Sequence, residues 1–313
     1  RVRISFPAPD LKNPAPVAGF FRFQRREIFL QSRSVILFPD LLTRWRPRPM
    51  QVHSLFIYPV KSLAGIPVEQ IEFDDFGPVA DRRWMIVDEA GKFVTQRSLP
   101  RLALVKTRLE QGRVLVDVPG QEGLPLEASD RQMTVDVWRD QAMALAEAGQ
   151  VSRALSDFCE RSLRLVYMPD SSFRRVDPKR VPESRRVSFA DGFPLLVTNT
   201  RSLDDLNRRL AEPVTMNRFR PNIVVDGKLP WEEDQWRTLM VGSQEVRLVK
   251  PCSRCVMTTV NPESGEASGL REPLRTLAGF RRTDDGVIFG MNGIHTNDST
   301  VRVGDPVTVQ QPE

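Results

Sequence analysis

The sequence predicts a mixed α/β, β-rich fold built largely from β-barrel-like domains. Short runs rich in β-branched residues recur from residue 51 onward, separated by turn residues, and only two segments show a clear helical period. Many short strands with few helices favour barrel-like β domains over a doubly wound sheet. With 313 residues and 40% hydrophobic content, the chain can bury one large core or two moderate ones.

The strands are predicted from alternation and from the turn residues between them. VHSLFIYPVKS alternates and then breaks at Pro59, whereas RRWMIVDEAGKFVTQR predicts a strand, a glycine-containing turn and a second strand. Further β-branched runs predict the remaining strands: RVLVDVP, MTVDVW, NIVVDG, EVRLVKP, CVMTTV and VRVGDPVTV. These runs leave room for few helices.

Two helices are predicted from apolar residues that recur on one face. The first, VSRALSDFCERSL, carries a stripe at Val151, Leu155, Phe158 and Cys159. The second, TRSLDDLNRRL, carries one at Leu203, Leu206 and Leu210. Thr200 or Ser202 can cap the start of the second helix. Cys159, on an apolar face, is a predicted core residue.

The positive charge of the chain is concentrated in residues 1–49. This basic extension holds ten Lys or Arg residues against three acids, a net +7, while the whole chain carries +5, so the remainder carries −2. We therefore expect no nucleic-acid partner. The extension fits an organelle presequence, a disordered basic tail or sequence upstream of a true start at Met50, and the last is preferred because presequences avoid acids. No run of about 18 apolar residues occurs, so no membrane-spanning helix is expected.

The pair Cys252 and Cys255, in LVKPCSRCVMTTVNPESGE, allows several interpretations. A redox pair needs its first cysteine at a helix N-terminus, and the strand predicted in this stretch removes that support. A structural zinc site needs two more ligands, and only His53 and His295 are offered. Two buried thiols, or a thiolate that binds another metal, remain open. Three cysteines make no disulfide framework, which favours a reducing compartment.

Basic and polar side chains accompany the cysteine pair near predicted strand ends. They are Lys61 and Ser62 in YPVKS, Arg82 in DRRW, Arg220 and Asn222 in RFRPN, Lys250 ahead of the pair and Arg254 within it. Arginine donates forked hydrogen bonds and lysine supplies a point charge, so converging side chains of this kind predict a site for a phosphate or pterin-like anion. A thiolate at such a site could bind a metal whose cofactor carries the anion.

Six motifs follow one another from about Met50 to residue 310. They are IYPVKSLAGIPV, DRRWMIVDEAGKFVTQR, FADGFPLLVTNTRSLDDLN, NRFRPNIVV, PCSRCVMTTVNPESG and VRVGDPV. This ordered set resembles the MOSC family, in particular its two-domain members of the mitochondrial amidoxime-reducing and bacterial N-hydroxy-reducing kind. The resemblance implies a MOSC N-terminal β domain over residues 50–168, packed with a β-barrel-like MOSC domain over residues 169–313.

The resemblance also implies a molybdenum cofactor and assigns residues to it, and no pyridoxal phosphate is expected. Cys255 would be the protein ligand to molybdenum and Cys252 its neighbour. Family positions that hold the pterin and its phosphate fall on Lys61, Ser62, Arg82, Arg220, Ser253 and Arg254, and positions that line the same site fall on Asp191 and Asn222. Cys255 and Asp191 are the expected catalytic residues. Coordination deprotonates a thiol outright, so the thiolate needs no helix dipole.

The activity that the resemblance implies is two-electron reduction of the N–O bond in hydroxylamines, amidoximes and N-hydroxylated bases, a detoxification. The chain has no G-x-G-x-x-G after a strand and no further cysteine set for an iron–sulfur cluster. Electrons are therefore expected from a separate ferredoxin-, flavodoxin- or cytochrome-type donor with its reductase. The alternatives are a carrier of molybdenum cofactor or sulfur without turnover, and a plain thiol- or zinc-binding barrel. The expected location is the bacterial cytoplasm, or the mitochondrion if residues 1–49 are a presequence.

Two stretches depart from the family pattern. After Asp191 the amidoxime-reducing proteins carry hydroxyl side chains where this chain has Gly192 and Phe193, so one pterin or substrate contact is expected to be lost or made by backbone. GMNGIHTNDST also differs from the family sequence, and its His295 could line the pocket. Substrate range is therefore the property that the sequence defines least.

Overall fold

A computed structural model describes residues 49–310, and the predictions for the basic extension lie outside these residues. The described part contains 20 β-strands, three α-helices and four 3-10 helices. The strands are β1 Gln51–Ile57, β2 Ile66–Val68, β3 Gln70–Ile71, β4 Phe73–Asp74, β5 Gly77–Pro78, β6 Trp84–Val87, β7 Lys106–Glu110, β8 Arg113–Val118, β9 Gln121–Pro125, β10 Ala128–Val137, β11 Asp140–Glu147, β12 Arg164–Tyr167, β13 Leu195–Asn199, β14 Ile223–Asp226, β15 Thr238–Val241, β16 Gln244–Ser253, β17 Arg282–Thr283, β18 Gly286–His295, β19 Val301–Arg302 and β20 Val307–Gln310. The helices are α1 Gln150–Cys159, α2 Thr200–Asn207 and α3 Leu274–Ala278, and the 3-10 helices are Pro100–Leu104, Met216–Arg218, Glu232–Gln235 and Val256–Thr259.

The β-rich fold class with few helices is confirmed. Both predicted helices form, and β1, β8, β10, β14 and β16 coincide with predicted runs. The strand predicted over CVMTTV is wrong, because β16 ends at Ser253 and a 3-10 helix follows. The hydroxyls of Thr258 and Thr259 donate to the carbonyls of Cys255 and Val256, at 3.0 and 2.7 Å. Such local side-chain bonds to the backbone stabilise a turn at residues whose β-branching favours a strand.

One large sheet carries the site. Its strand order is β2-β1-β14-β13-β18-β16-β15-β20, so the first two strands complete a sheet that otherwise uses the second half of the chain. The β13 and β14 strands are parallel, and the other neighbours along this order are antiparallel. Backbone bonds from Val52 to Asp305 and from Val307 to Met50, at 2.9 and 2.8 Å, tie β1 to the segment that leads into β20. The β1 strand therefore lies close to the β20 end of the strand order, around one apolar core.

The remaining strands of the first half form a second sheet, β10-β11-β12-β6, a three-stranded sheet, β7-β8-β9, and the two-stranded sheets β4-β5 and β3-β19. Helix α1 packs its apolar face, with Val151, Leu155 and Cys159 buried, into a separate core. Cys159 is thus in the core, as predicted. The division into domains at residue 168 stays a prediction. In the described part of the chain, no helix is long and apolar enough to cross a bilayer.

Helix α2 begins differently from the prediction. Its cap is Asn199, whose side chain accepts from the backbone N–H of Arg201 at 3.0 Å. Ser202 instead donates its hydroxyl to the fully buried carboxyl of Glu233 at 2.7 Å, and Asn199 donates to the same oxygen at 3.1 Å. Burial raises the pKa of Glu233 to about 7, although these donors oppose the shift. Glu233 is therefore largely protonated in the folded chain at mildly acidic pH.

Glu233 should make the stability of the fold depend on pH. Its folded pKa lies above the unfolded value, so its contribution is complete below about pH 4 and declines as pH rises towards 7. Glu233→Gln places an uncharged isostere at this position. Between pH 5 and pH 8, we expect the free energy of unfolding of this variant to rise relative to that of the original chain by on the order of 2 to 3 kcal/mol. Urea unfolding at the two pH values measures this. An equal difference between the two proteins at both pH values would contradict a raised pKa.

Candidate functional site

All nine residues predicted for the site line one cavity of about 830 Å³, a volume that includes the solvent at its mouth. They are Lys61, Ser62, Arg82, Asp191, Asn222, Arg220, Ser253, Arg254 and Cys255. The lining contains six cationic side chains and a single acidic one, and the cations are Lys61, Arg82, Arg97, Arg218, Arg220 and Arg254. The cavity therefore has the charge of an anion site.

Strand pairing brings these distant residues together. The register that pairs Leu55 with Ile223 places the end of β1 beside the start of β14. Lys61 follows β1, and Asn222 immediately precedes β14. The β16 strand, with register shifts near Leu248 and Pro251, delivers Ser253 to the same cavity. Irregular pairing of this kind re-aims side chains and is common beside functional sites.

Three cavity residues adopt a backbone conformation that non-glycine residues rarely take. Ser62, Arg82 and Arg220 have φ of 73°, 48° and 56°. Each such residue costs of order 1 kcal/mol, and such strain persists where the surrounding structure holds it and concentrates at functional sites. The strained backbone at three separated chain positions indicates that side-chain placement here outweighs local stability.

The ring of Tyr58 contacts the guanidinium groups of Arg82 and Arg220. Its ring is buried, and the guanidinium carbons of Arg82 and Arg220 lie 4.4 and 4.2 Å from its centroid. Burial raises the pKa of Tyr58 to about 12, against the lowering effect of both arginines, so the phenol stays neutral. Cation–π contacts on a desolvated ring contribute about 2 kcal/mol or more. The tyrosine thus holds two cations near each other that would otherwise repel.

Arg82 is fixed by a buried network. It donates to Asp81 at 2.6 Å, to the side-chain oxygen of Asn222 at 3.1 Å and to the carbonyl of Arg220 at 3.1 Å. Burial opposes its charge, but Asp81 outweighs that effect and raises the pKa of Arg82. Asn222 also donates to Asp81 and to the carbonyl of Phe56, and accepts from the N–H of Leu196. The side-chain oxygen and nitrogen of Asn222 are therefore already hydrogen-bonded within the protein, and the residue holds Arg82 in position.

Two buried guanidinium nitrogens of the cavity lining are left without partners among the described residues. Among residues 49–310, Nη2 of Arg220 and Nε of Arg254 have no hydrogen-bond acceptor. Nη1 of Arg220 donates to the carbonyl of Leu63 at 2.5 Å, and Nη2 of Arg254 donates to that of Phe219 at 2.6 Å. Burial and the neighbouring Arg82 charge lower the pKa of Arg220 to about 10, so it remains protonated at neutral pH. Because an unmet buried donor costs about 1 to 3 kcal/mol, both cations are suited to an anionic ligand.

The two cysteines differ in their surroundings. The Sγ atom of Cys252 accepts from Nη1 of Arg254 at 2.8 Å and is partly buried. Cys255 is exposed and directly precedes the 3-10 helix Val256–Thr259. Both line the cavity, but only the Cys255 thiol combines exposure with freedom from this contact. Its position suits a ligand to a group that enters from the mouth.

Asp191 is the acid of the cavity lining. Its side chain is 70% exposed, and its Oδ1 accepts from the ammonium of Lys61 and from the indole N–H of Trp138, the latter at 3.2 Å. Desolvation works against ionisation, but Lys61 outweighs it and lowers the pKa of Asp191. Burial, partly offset by Asp191, in turn lowers the pKa of Lys61. Asp191 is therefore an ionised acceptor at neutral pH and not a proton donor.

The chain matches two known domain families and is similar to several named proteins. Residues 49–162 match the family described as MOSC N-terminal beta barrel domain, and residues 184–308 match the MOSC domain. Mitochondrial amidoxime reducing component 2 of Rattus norvegicus is 34% identical over 278 residues, covering 82% of each chain. Mitochondrial amidoxime-reducing component 1 is 32% identical over 278 residues in Homo sapiens and 34% over 272 in Danio rerio, covering 82% of this chain in both cases and 82% and 83% of those relatives.

The chain belongs to the MOSC family. Its two matched regions occur in the order of the two-domain members, as the resemblance predicted. Gly192 and Phe193, the two residues expected from sequence to differ from the family, both line the cavity. A Cβ at Gly192 would meet no atom within 4 Å, so the space beside this residue is open.

Several cavity features of this MOSC protein were missed from sequence. Arg97 and Arg218 line the cavity, and Trp138 reaches Asp191 from the tip of the β10–β11 hairpin. Arg174 donates to the carbonyls of Ala190 and Asp191, at 2.5 and 3.1 Å, and so fixes the loop before β13. The motif order alone gives no sign of these contacts. The arginines of TQR and NRFR were the available signal in the sequence.

Three residues weighed from sequence lie elsewhere. Lys250 lies within β16, pairs with Asp285 at 3.3 Å and is not among the residues that line the cavity. His295 is buried against Phe73, with ring centroids 5.2 Å apart, and does not line the cavity. His53 lies exposed on β1. Within residues 49–310, no three His, Cys, Asp or Glu side chains cluster in a way that could hold a metal ion.

Proposed function

We propose that the chain is a molybdenum-cofactor-dependent reductase of N-hydroxylated compounds, with electrons supplied by a separate protein. The observation that carries this proposal is the cavity, in which an exposed Cys255 thiol faces the same space as a cluster of buried cations with unmet donors. The names of the relatives, amidoxime-reducing components, supply the reaction class.

The residues present fit such a cofactor. A soft thiolate is a ligand that molybdenum accepts, and the guanidiniums of Arg220 and Arg254 offer unmet donors to a phosphate or pterin oxygen. Cys255 would hold the metal, while Lys61, Ser62, Arg82, Arg220, Ser253 and Arg254 would hold the pterin and phosphate. Asn222 would act through Arg82, which it fixes.

Reduction of an N-hydroxy group breaks the N–O bond, consumes two electrons and two protons, and releases water. When bound, the cofactor supplies the oxygen-transfer chemistry. Asp191, kept ionised by Lys61, accepts hydrogen bonds and so orients the N–H or O–H groups of a substrate at the cavity mouth. Arg174 donates to the backbone of the loop that carries Asp191, and these bonds limit the movement of Asp191.

An external electron donor is part of the proposal. The three cysteines of the chain are too few for a four-cysteine iron–sulfur cluster beside a metal ligand. The relatives are named as components, which fits an activity shared with partner proteins. A ferredoxin-, flavodoxin- or cytochrome-type donor has the required chemistry. The mitochondrial names of the relatives favour the mitochondrial alternative of the two locations expected from sequence.

A turnover assay tests the proposal. The full chain, produced in a host that makes molybdenum cofactor, should convert benzamidoxime to benzamidine when a reduced viologen dye replaces the protein donor. The same chain from a host unable to make the cofactor serves as the control and should give only background. Protein that contains molybdenum but forms no benzamidine would contradict the reductase and would favour the carrier.

A further inference from the structure

The tip of the β10–β11 hairpin carries a tryptophan in a conformation that disfavours it. Val137 pairs with Asp140, so Trp138 and Arg139 form a two-residue turn, and Trp138 has φ of 60°. Gly, Asn and Asp dominate such positions, and a bulky side chain at positive φ is an outlier that persists only where something requires it. The side chain is 46% exposed, so its burial in a core does not explain the choice of residue.

The indole contacts two residues that line the cavity. Its N–H donates to Oδ1 of Asp191 at 3.2 Å, and the guanidinium carbon of Arg97 lies 4.5 Å from its ring centroid. Phe93 supports it with a tilted contact at 5.1 Å between centroids. Trp138 is not itself among the residues that line the cavity, but its partners Asp191 and Arg97 are, so the ring lies beside the cavity lining.

Asp191 keeps one oxygen available. The bonds from Lys61 and Trp138 both end on Oδ1, and within residues 49–310 no donor reaches Oδ2. An exposed carboxylate oxygen beside an exposed aromatic ring can bind a planar group that carries an N–H at its edge. Such a group can stack on the Trp138 ring and donate its N–H to the Asp191 carboxylate at the same time.

We propose that Trp138 and Oδ2 of Asp191 form a substrate subsite that selects planar, conjugated N-hydroxylated bases with an N–H beside the N–O bond. This inference rests on the proposed reductase function and specifies the substrates of that site. Aromatic amidoximes meet the description, because their amidine edge offers the N–H and their ring offers the stacking face. Aliphatic amidoximes offer the same edge without the ring, and they are the matched comparison.

The decisive variant is Trp138→Gly, which removes the ring and suits the positive φ, so the fold should keep or gain thermal stability. Binding of benzamidoxime and acetamidoxime is measured by calorimetry on the cofactor-loaded full chain without an electron donor, so no turnover occurs. Trp138→Gly should weaken benzamidoxime binding about two- to tenfold, the size expected for the loss of one aromatic contact. The dissociation constant of acetamidoxime should change by less than about twofold. Trp138→Phe keeps a ring and should retain part of the preference. Phe173→Ala, an exposed aromatic outside the cavity lining, is the control and should change neither.

The ratio of kcat/KM for the two amidoximes should follow the binding ratio. An unchanged ratio in Trp138→Gly, with both compounds still bound, would overturn the subsite. A native chain that binds both compounds yet reduces neither would instead refute the proposed function and leave the binding comparison to decide the subsite.

Discussion

Replacing Cys255 with alanine is expected to abolish both N-hydroxy reduction and molybdenum retention. The thiol is exposed at the cavity and is the proposed protein ligand to the metal. Its loss would remove the proposed metal–sulfur bond, and the other thiol of the lining, Cys252, is already engaged by Arg254. Elemental analysis of the purified variant and turnover of benzamidoxime measure the two effects.

Cys252→Ala is the matched control, three positions away in the same cavity. Its sulfur is already engaged by Arg254, so we expect most of the molybdenum and most of the activity to remain. A modest loss is compatible with the freed Arg254 guanidinium. Equal and complete loss from both variants would contradict the account and indicate a cysteine pair that acts together.

Neutralising Arg220 is expected to have the second-largest effect. Its Nη2 is buried without a partner among the described residues, which marks it as the donor most in need of an anion. A charge-assisted hydrogen bond contributes about 1.5 to 3 kcal/mol, so Arg220→Ala should weaken cofactor retention about ten- to a hundredfold. Arg220→Lys should recover only part of it, because an ammonium cannot reproduce the fork over Tyr58. Molybdenum content after dialysis provides the measurement.

Arg302→Ala, an exposed arginine on β19, controls for the loss of a positive charge alone and should retain its molybdenum. The fold of Arg220→Ala should survive, which a thermal melt checks. Full molybdenum content and normal turnover in Arg220→Ala would contradict the proposed location of the pterin site. The roles proposed for Lys61 and Arg82 would then be wrong as well.

Much of the candidate site could be predicted because its residues lie within short motifs at strand ends. Strand alternation in VHSLFIYPVKS located the end of β1, and the cation and amide of RFRPN precede β14. A strand end is where a side chain can leave the sheet and face a ligand, so the chemistry of these residues was informative without coordinates. Their convergence on one cavity depends on the β1–β14 register, which single motifs do not encode.

The remainder depended on contacts that local patterns do not show. The turn after Cys255 arises from threonine hydroxyls that bond to the backbone, where β-branching alone predicts a strand. The α2 cap is Asn199, since Ser202 is drawn into a bond with the distant Glu233. Trp138 could not be assigned to the site from sequence, because its hydrogen-bond partner Asp191 lies 53 positions away along the chain.

Molybdenum quantification tests the central claim most directly. The full chain, purified from a host that makes molybdenum cofactor, should contain a stoichiometric amount of molybdenum and release a pterin phosphate on denaturation. The same preparation should contain little zinc. Protein that is folded and free of molybdenum, with zinc in its place, would contradict the account.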